Sequence, residues 1–221
     1  MLTEPNTKAI YQLSPIYRRV LIALGAASIA VGAFIAIPLP FSPVPIVLQN
    51  FFILLIALVL GPRMGTASVA LYLLVGALGL PVFAGGKGGF AHFFGPTGGY
   101  LAGFLLSAWI TGAFAMSGNR HQNREPQQTP QGIPERQPEG HYAQKTKFRF
   151  QDVAAAAAGV LAVYLLGVPW LAYKLGFEWK KALIVGFLPF IPGDVLKAAA
   201  AAALAPEVRR LLLKEFHPDA G

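Results

Sequence analysis

Asp194 and Lys197 stand three residues apart inside an otherwise apolar stretch, directly after Pro192-Gly193. Residues at that spacing share one face of a helix, so the carboxylate and the ammonium can pair. An ionisable side chain near a bilayer centre costs roughly 2.5–3.5 kcal/mol on insertion scales, so it marks function by default and needs a partner. Proline and glycine just before Asp194 place it in the first helical turn, where the helix dipole favours a carboxylate. Two roles stay open: a structural ion pair that caps the helix, or a polar clamp for a bound solute.

Gln49-Asn50 is the second constellation. Two uncharged amides open an apolar helix after a proline-rich stretch. They offer both donors and acceptors, suited to amide-like or ureido groups, although amides in such places also cap helices or join them to neighbours. The third is Gly95-Pro96-Thr97-Gly98-Gly99-Tyr100, a tight turn into a helix that closes the glycine-rich loop 81–99. It is no phosphate loop, because the residues around Gly86-Lys87 lack the glycine–four residues–glycine-lysine-serine/threonine spacing. His92, His121, His141 and His217 show no metal-ligand spacing, and no serine sits in a nucleophile elbow. No cofactor, metal or catalytic group is therefore expected, and binding is favoured over enzymatic chemistry.

The elements that must position these residues follow from composition. Of 221 residues 55% are hydrophobic and only 13% charged, about half the charged share of a soluble domain. Cysteine is absent, which excludes disulfides and thiolate chemistry. The reading is one all-α integral membrane domain over residues 1–221, a bundle of six transmembrane helices at about 20–37, 47–60, 65–80, 100–116, 152–173 and 192–204. Residues 182–191 either extend the last helix past a break at Pro192-Gly193 or form a short outer helix. The first apolar run ends at Pro38 without a small-residue cleavage site and is expected to be retained. Pro38–Pro45 is expected to be a stiff, extended loop, 61–65 a tight turn, and the Gln/Pro-rich segment 117–150 a disordered cytoplasmic loop.

Counting basic residues on alternate sides gives thirteen (Lys8, Arg18, Arg19, Arg63, Arg120, Arg124, Arg136, Lys145, Lys147, Arg149, Arg209, Arg210, Lys214) against four (Lys87, Lys174, Lys180, Lys181). With Lys197 left inside the last helix, the split puts both termini of a multi-pass cell-membrane protein in the cytoplasm. The net charge of +8 thus reflects topology and no nucleic-acid partner is expected. The proline-rich and glycine-rich loops and the approach to the last helix then form an extracellular cap over the lipid-embedded bundle. Ala23 with Ala27, and Ala26 with Ala30, set small residues four apart on the first helix, which suits either packing inside the bundle or docking of another membrane subunit.

Four motifs in order resemble the BioY family, biotin-specific capture subunits of energy-coupling-factor vitamin transporters. They are Ile37-Pro-Leu-Pro-Phe-Ser-Pro-Val-Pro-Ile46 followed by Val47-Leu48-Gln49-Asn50, then Pro81-Val-Phe-Ala-Gly-Gly86, Gly95-Pro-Thr-Gly-Gly-Tyr100 and Phe190-Ile-Pro-Gly-Asp-Val-Leu-Lys197. The resemblance runs from about residue 15 to 205, apart from 117–150, which is longer than the family leads one to expect. It implies six helices, a biotin pocket near the outer surface closed by the first and third loops, and coupling to a transmembrane protein and a pair of cytoplasmic ATPases. It also implies that Ala23, Ala26, Ala27 and Ala30 face the transmembrane partner. On this reading Asp194 accepts from the ureido N–H groups of biotin, and Lys197 holds Asp194 or donates to the ligand. Gln49 and Asn50 add hydrogen bonds. The Gly85-Gly86 and Gly98-Gly99 backbones, with Phe83, Phe94 and Tyr100, wall the thiolane. Capture of another vitamin, or a facilitator or channel acting without an ATPase, are the alternatives.

Overall fold

The computed structural model describes residues 14–117 and 150–216, with side chains to residue 212. The chain forms helix α1 (Pro15–Phe34), strands β1 (Ala36–Leu39) and β2 (Ser42–Val47), and helices α2 (Gln49–Ala77), α3 (Gly98–Ser117) and α4 (Phe150–Leu175). A short α5 (Trp179–Gly186) and the long α6 (Ile191–Phe216) follow, and short 3-10 turns lie at Phe90–Phe94 and Leu188–Phe190. The expected loop at 117–150 falls, but for its two end residues, outside the described residues.

Pro15 sits in the first turn of α1, where its missing N–H costs nothing. Beyond Phe34 the prolines forbid further helix, and the expected loop is in fact an antiparallel hairpin that pairs Ala36 with Val47 and Ile37 with Ile46. Nor does the turn expected at 61–65 occupy five residues. Gly61 alone leaves helical geometry (φ 78°), and its positive φ is one that an L side chain resists. Pro62 starts the next helical segment. The two halves of α2 fold back on each other: a Cβ added at Gly65 would lie 2.9 Å from the Ala57 Cα. In a straight helix these residues would be about 12 Å apart. Residues 182–191 resolve into a separate α5, a break at Phe187 and a turn that runs into α6, with no break at Pro192-Gly193.

Helix α3 packs against both α2 and α4, α1 covers α2, and α6 lies against α2 and α4. Glycines set the closest approaches. A Cβ at Gly103 would meet the Val163 carbonyl at 2.8 Å, and one at Gly25 would meet Ser68 Oγ at 2.6 Å. Outward, the bundle presents Val20, Leu24, Val31, Trp109, Leu161, Leu165, Val195 and Leu196, each more than half exposed. An apolar exterior on helices of which five, among the described residues, are long and apolar enough to span is the surface of a multi-pass membrane protein.

One buried charge network departs from the sequence reading, which placed Arg209 among the topology-setting charges outside the membrane. Arg209, counted above as a flanking charge, is 2% exposed. Its Nε and Nη2 donate to the Leu58 carbonyl at 3.1 and 2.7 Å, and Nη2 reaches Asp152 Oδ1 at 3.4 Å. The reason lies in the reversal at Gly61. It ends the first half of α2, so the Leu58 carbonyl in the last turn has no intrahelical donor and a buried acceptor would be stranded. Arg209 supplies the missing donor and clasps α2 to α6 and, through Asp152, to α4. Arg209→Met should therefore lower the unfolding free energy in detergent by about 3–5 kcal/mol, because it leaves a buried carboxylate and carbonyl without their donor. A thermal or denaturant midpoint unchanged from the parent protein would refute this.

Candidate ligand-binding site

At the end of the bundle that carries the β1–β2 hairpin and the 81–97 loop, the elements enclose a cavity. Its empty volume is about 750 Å³ with its open mouth included. Strand β2 contributes Pro43, Val44, Pro45 and Val47, and the start of α2 contributes Gln49 and Asn50. The loop adds Phe83, Ala84, Lys87 and His92. Thr97, Tyr100, Leu101 and Phe104 come from the approach to α3 and from α3 itself, Val163 and Tyr164 from α4, and Phe190, Asp194 and Lys197 from the last turn and α6.

Asp194 is the polar centre of this wall. It is 2% exposed, in the first turn of α6, while its neighbours Val195 and Leu196 point outward. Three helices bring donors to it. Lys197 Nζ donates to Oδ1 at 2.9 Å from one turn along, and the Tyr164 hydroxyl donates to Oδ2 from α4. Asn50 Nδ2 lies 3.5 Å from both oxygens, a longer and weaker contact from α2. A carboxylate out of water needs such partners, and the pairing explains how a charge is tolerated here. Tyr100 packs edge-on against Tyr164, with 6.2 Å between centroids. Its hydroxyl donates to the Gly186 carbonyl at 2.8 Å, and its ring lies on Gly167, where any side chain would collide.

The loop closes the cavity with aromatic rings. Phe83 is buried, packs edge-on to Tyr72 and stacks on His92 at 5.2 Å between centroids. Gly85 (φ 74°) and Gly86 (φ 71°) make the tight reversal that pairs Phe83 with Lys87, the Phe83 N–H donating to the Lys87 carbonyl at 2.8 Å. His92 Nε2 sits 3.3 Å from Thr97 Oγ1. Trp170 of α4 donates to the Gly95 carbonyl at 2.9 Å and holds the loop down.

The structure thus brings Gln49, Asn50, Phe83, Tyr100, Asp194 and Lys197 onto one cavity. Gly85 and Gly86 stand behind it, shaping the turn that presents Lys87. Gly98 and Gly99 do not line it either: both are buried against Trp170, where they let α3 close on α4. Phe94 is 57% exposed and packs on Phe90, off the cavity wall. Of the first-helix alanines, Ala23 and Ala27 are exposed and Ala30 half-buried, whereas Ala26 is 7% exposed and belongs to the core. Sequence reasoning missed Tyr164, Lys87, His92 and Thr97. Tyr164 carried one usable signal, a phenol in the middle of an alanine- and leucine-rich helix.

Residues 6–214 match the model of the BioY family. A probable biotin transporter BioY of Pyrococcus horikoshii is 38% identical over 189 residues, covering 86% of this chain and 94% of its own. The biotin transporter BioY of Thermotoga maritima is 40% identical over 185 residues, covering 84% and 91%. Among solved structures, the crystal structure at 2.1 Å of the S-component for biotin from an ECF-type ABC transporter is similar with a TM-score of 0.71 and 30% identity, covering 90% of this chain and 95% of that one.

His92 yields a test of the loop packing. Burial, and then the nearby Lys87 charge, lower its pKa below the ordinary 6.5. The unfolded chain therefore takes up a proton first, so the stability due to neutral His92 is complete above the ordinary value and is lost as pH falls below it. Thermal unfolding at about pH 7.5 and about pH 5.5 should show a larger drop for the parent protein than for His92→Gln. Equal drops would mean that the packed loop does not exclude the charged ring.

Proposed function

We propose that this chain, which belongs to the BioY family, captures biotin in the cavity at Asp194 as the substrate-binding subunit of an energy-coupling-factor uptake transporter. The observation that carries the reading is the buried Asp194 carboxylate, held by donors from three helices in the wall of an otherwise largely apolar cavity. Biotin combines a ureido ring with two N–H donors and one strong acceptor, an apolar thiolane and a carboxylate tail. An ionised carboxylate has about four lone-pair sites. Tyr164 and Lys197 occupy two of them at close range. The long Asn50 contacts are the ones a ureido N–H displaces, freeing the Asn50 amide to donate to the ureido carbonyl. Leu101, Phe104 and Val163 meet the thiolane, and Lys87 offers a cation to the carboxylate tail. Biotin is cargo on this reading; no cofactor takes part, and the family is a transporter component rather than an enzyme.

The membrane topology supports capture from outside. Two facts argue for six spans rather than five: the halves of α2 fold back at Gly61, and Gln49 at its start interacts with Tyr72 near its end. In a straight helix those two residues would be about 35 Å apart. Six spans return both termini to one side. Moving the buried Arg209 out of the basic-residue count leaves that side still strongly favoured as cytoplasmic, in the cell membrane. The cavity, with Lys87, then opens outward beneath the hairpin and loop. Release to the cytoplasm falls to a transmembrane coupling protein and two ATPase subunits, with the exposed Ala23 and Ala27 on a face of α1 where another helix can approach closely.

Titration calorimetry on the purified, detergent-solubilised chain tests the reading. Biotin should bind one to one, with riboflavin and thiamine inert. Asp194→Asn should weaken biotin about ten- to a hundredfold, the value of a charge-assisted hydrogen bond. A folded parent protein that takes up no biotin would overturn the assignment, and an unchanged affinity in Asp194→Asn would remove the carboxylate from the site.

A further inference from the structure

Beneath the main cavity lies a second, smaller one, bounded by Asn50, Ile53, Leu54, Phe104, Ser107, Val160 and Val163. It shares Asn50, Phe104 and Val163 with the cavity above and has room for about one water molecule. Its lining is apolar except for two groups. Ser107 is 1% exposed, and both its Oγ and Asn50 Oδ1 are buried without a hydrogen-bond partner in the protein.

Neither orientation is accidental. The Asp194 carboxylate can only accept, so Asn50 must turn its NH₂ up towards Asp194. That forces Oδ1 down into the small cavity, where it needs a donor. Three other helical serines satisfy themselves by donating to the carbonyl four residues back: Ser28 to Leu24, Ser68 to Met64 and Ser117 to Ala113. Ser107 makes no such bond. Its hydroxyl is left to the same small space as Asn50 Oδ1. A buried polar group left unpaired costs about 1–3 kcal/mol, and a water with two or more polar partners is the usual remedy.

The geometry points to a structural water that joins Ser107 Oγ to Asn50 Oδ1, which makes Ser107 a positioning residue for ligand capture. The water donates to Oδ1, and the Ser107 hydroxyl exchanges a hydrogen bond with it. The bridge holds the Asn50 amide with its NH₂ towards Asp194 and the ligand. Without it, a flipped amide would set oxygen against carboxylate. Ser107 itself does not reach the upper cavity, so any influence on the ligand passes through Asn50. This role rests on the biotin reading for its functional consequence, but the bridge itself does not.

A double-mutant cycle between Ser107→Ala and Asn50→Leu separates the two. In the parent background Ser107→Ala should weaken biotin about tenfold, the worth of one hydrogen bond to an oriented group. In the Asn50→Leu background the same change should alter affinity less than about twofold, because no amide remains to orient. An effect of equal size in both backgrounds, or none in the parent, overturns the positioning role. The ligand-free readout is the thermal midpoint. Ser107→Ala should lower it when Asn50 is present. In the Asn50→Leu background it should leave the midpoint unchanged or raise it, because removing a lone buried hydroxyl is favourable once the amide is gone. If the parent protein binds no biotin, the function proposed above fails, and this sign change still decides the bridge. A ligand-free crystal structure in which the small cavity is dry would also overturn it.

Discussion

A carboxylate removed from water inside an apolar bundle must be compensated, and most of the architecture around the cavity answers that requirement at Asp194. The donors cannot come from one element alone. Lys197 lies on the same helix, but Tyr164 and Asn50 arrive from α4 and α2. Moving any of the three helices away would leave a charge or a hydroxyl stranded at a cost of several kcal/mol. The cavity is thus bounded by helices held together by the carboxylate they share.

The other polar clasp involves the same three helices. Arg209 on α6, Asp152 on α4 and the Leu58 carbonyl on α2 join some two to four turns along from Asp194, Tyr164 and Asn50 respectively. Gly61 creates the need for it, because the reversal there ends the first half of α2 and leaves the Leu58 carbonyl without an intrahelical donor. Helices α2, α4 and α6 are therefore tied at two levels by directional bonds. Close glycine contacts seat α1 through Gly25, and on α3 Gly99 and Gly103 add them to the hydrogen bond from Tyr100 to the Gly186 carbonyl. Directional bonds fix register and angle; close glycine contacts fix only distance.

The glycine-rich loop works through its backbone. Gly85 and Gly86 supply the positive φ that turns Lys87 back beside Phe83, and Gly98 and Gly99 let α3 meet Trp170. Residues that read in the sequence as wall are frame, and the side chains they present form the wall. Leu101, Phe104 and Val163 line the cavity, and the glycines do not.

The amino-acid sequence by itself determined the membrane class, the positions of most helices and the pair Asp194–Lys197, because hydropathy and i,i+3 spacing are local properties. It also identified the family, since four ordered motifs survive as short strings. It could not show that Tyr164, thirty residues from Asp194, donates to it, or that Arg209 leaves the basic flank to satisfy Leu58. Both depend on helices that meet only when the bundle closes. The same holds for the hairpin in place of a proline-rich loop, for Ala26 turning inward while Ala23 and Ala27 face out, and for the orphaned oxygens of Asn50 and Ser107. Pairing between distant helices is fixed by packing and by the rule that buried polar groups must find partners, and neither has a signature at a fixed spacing along the chain.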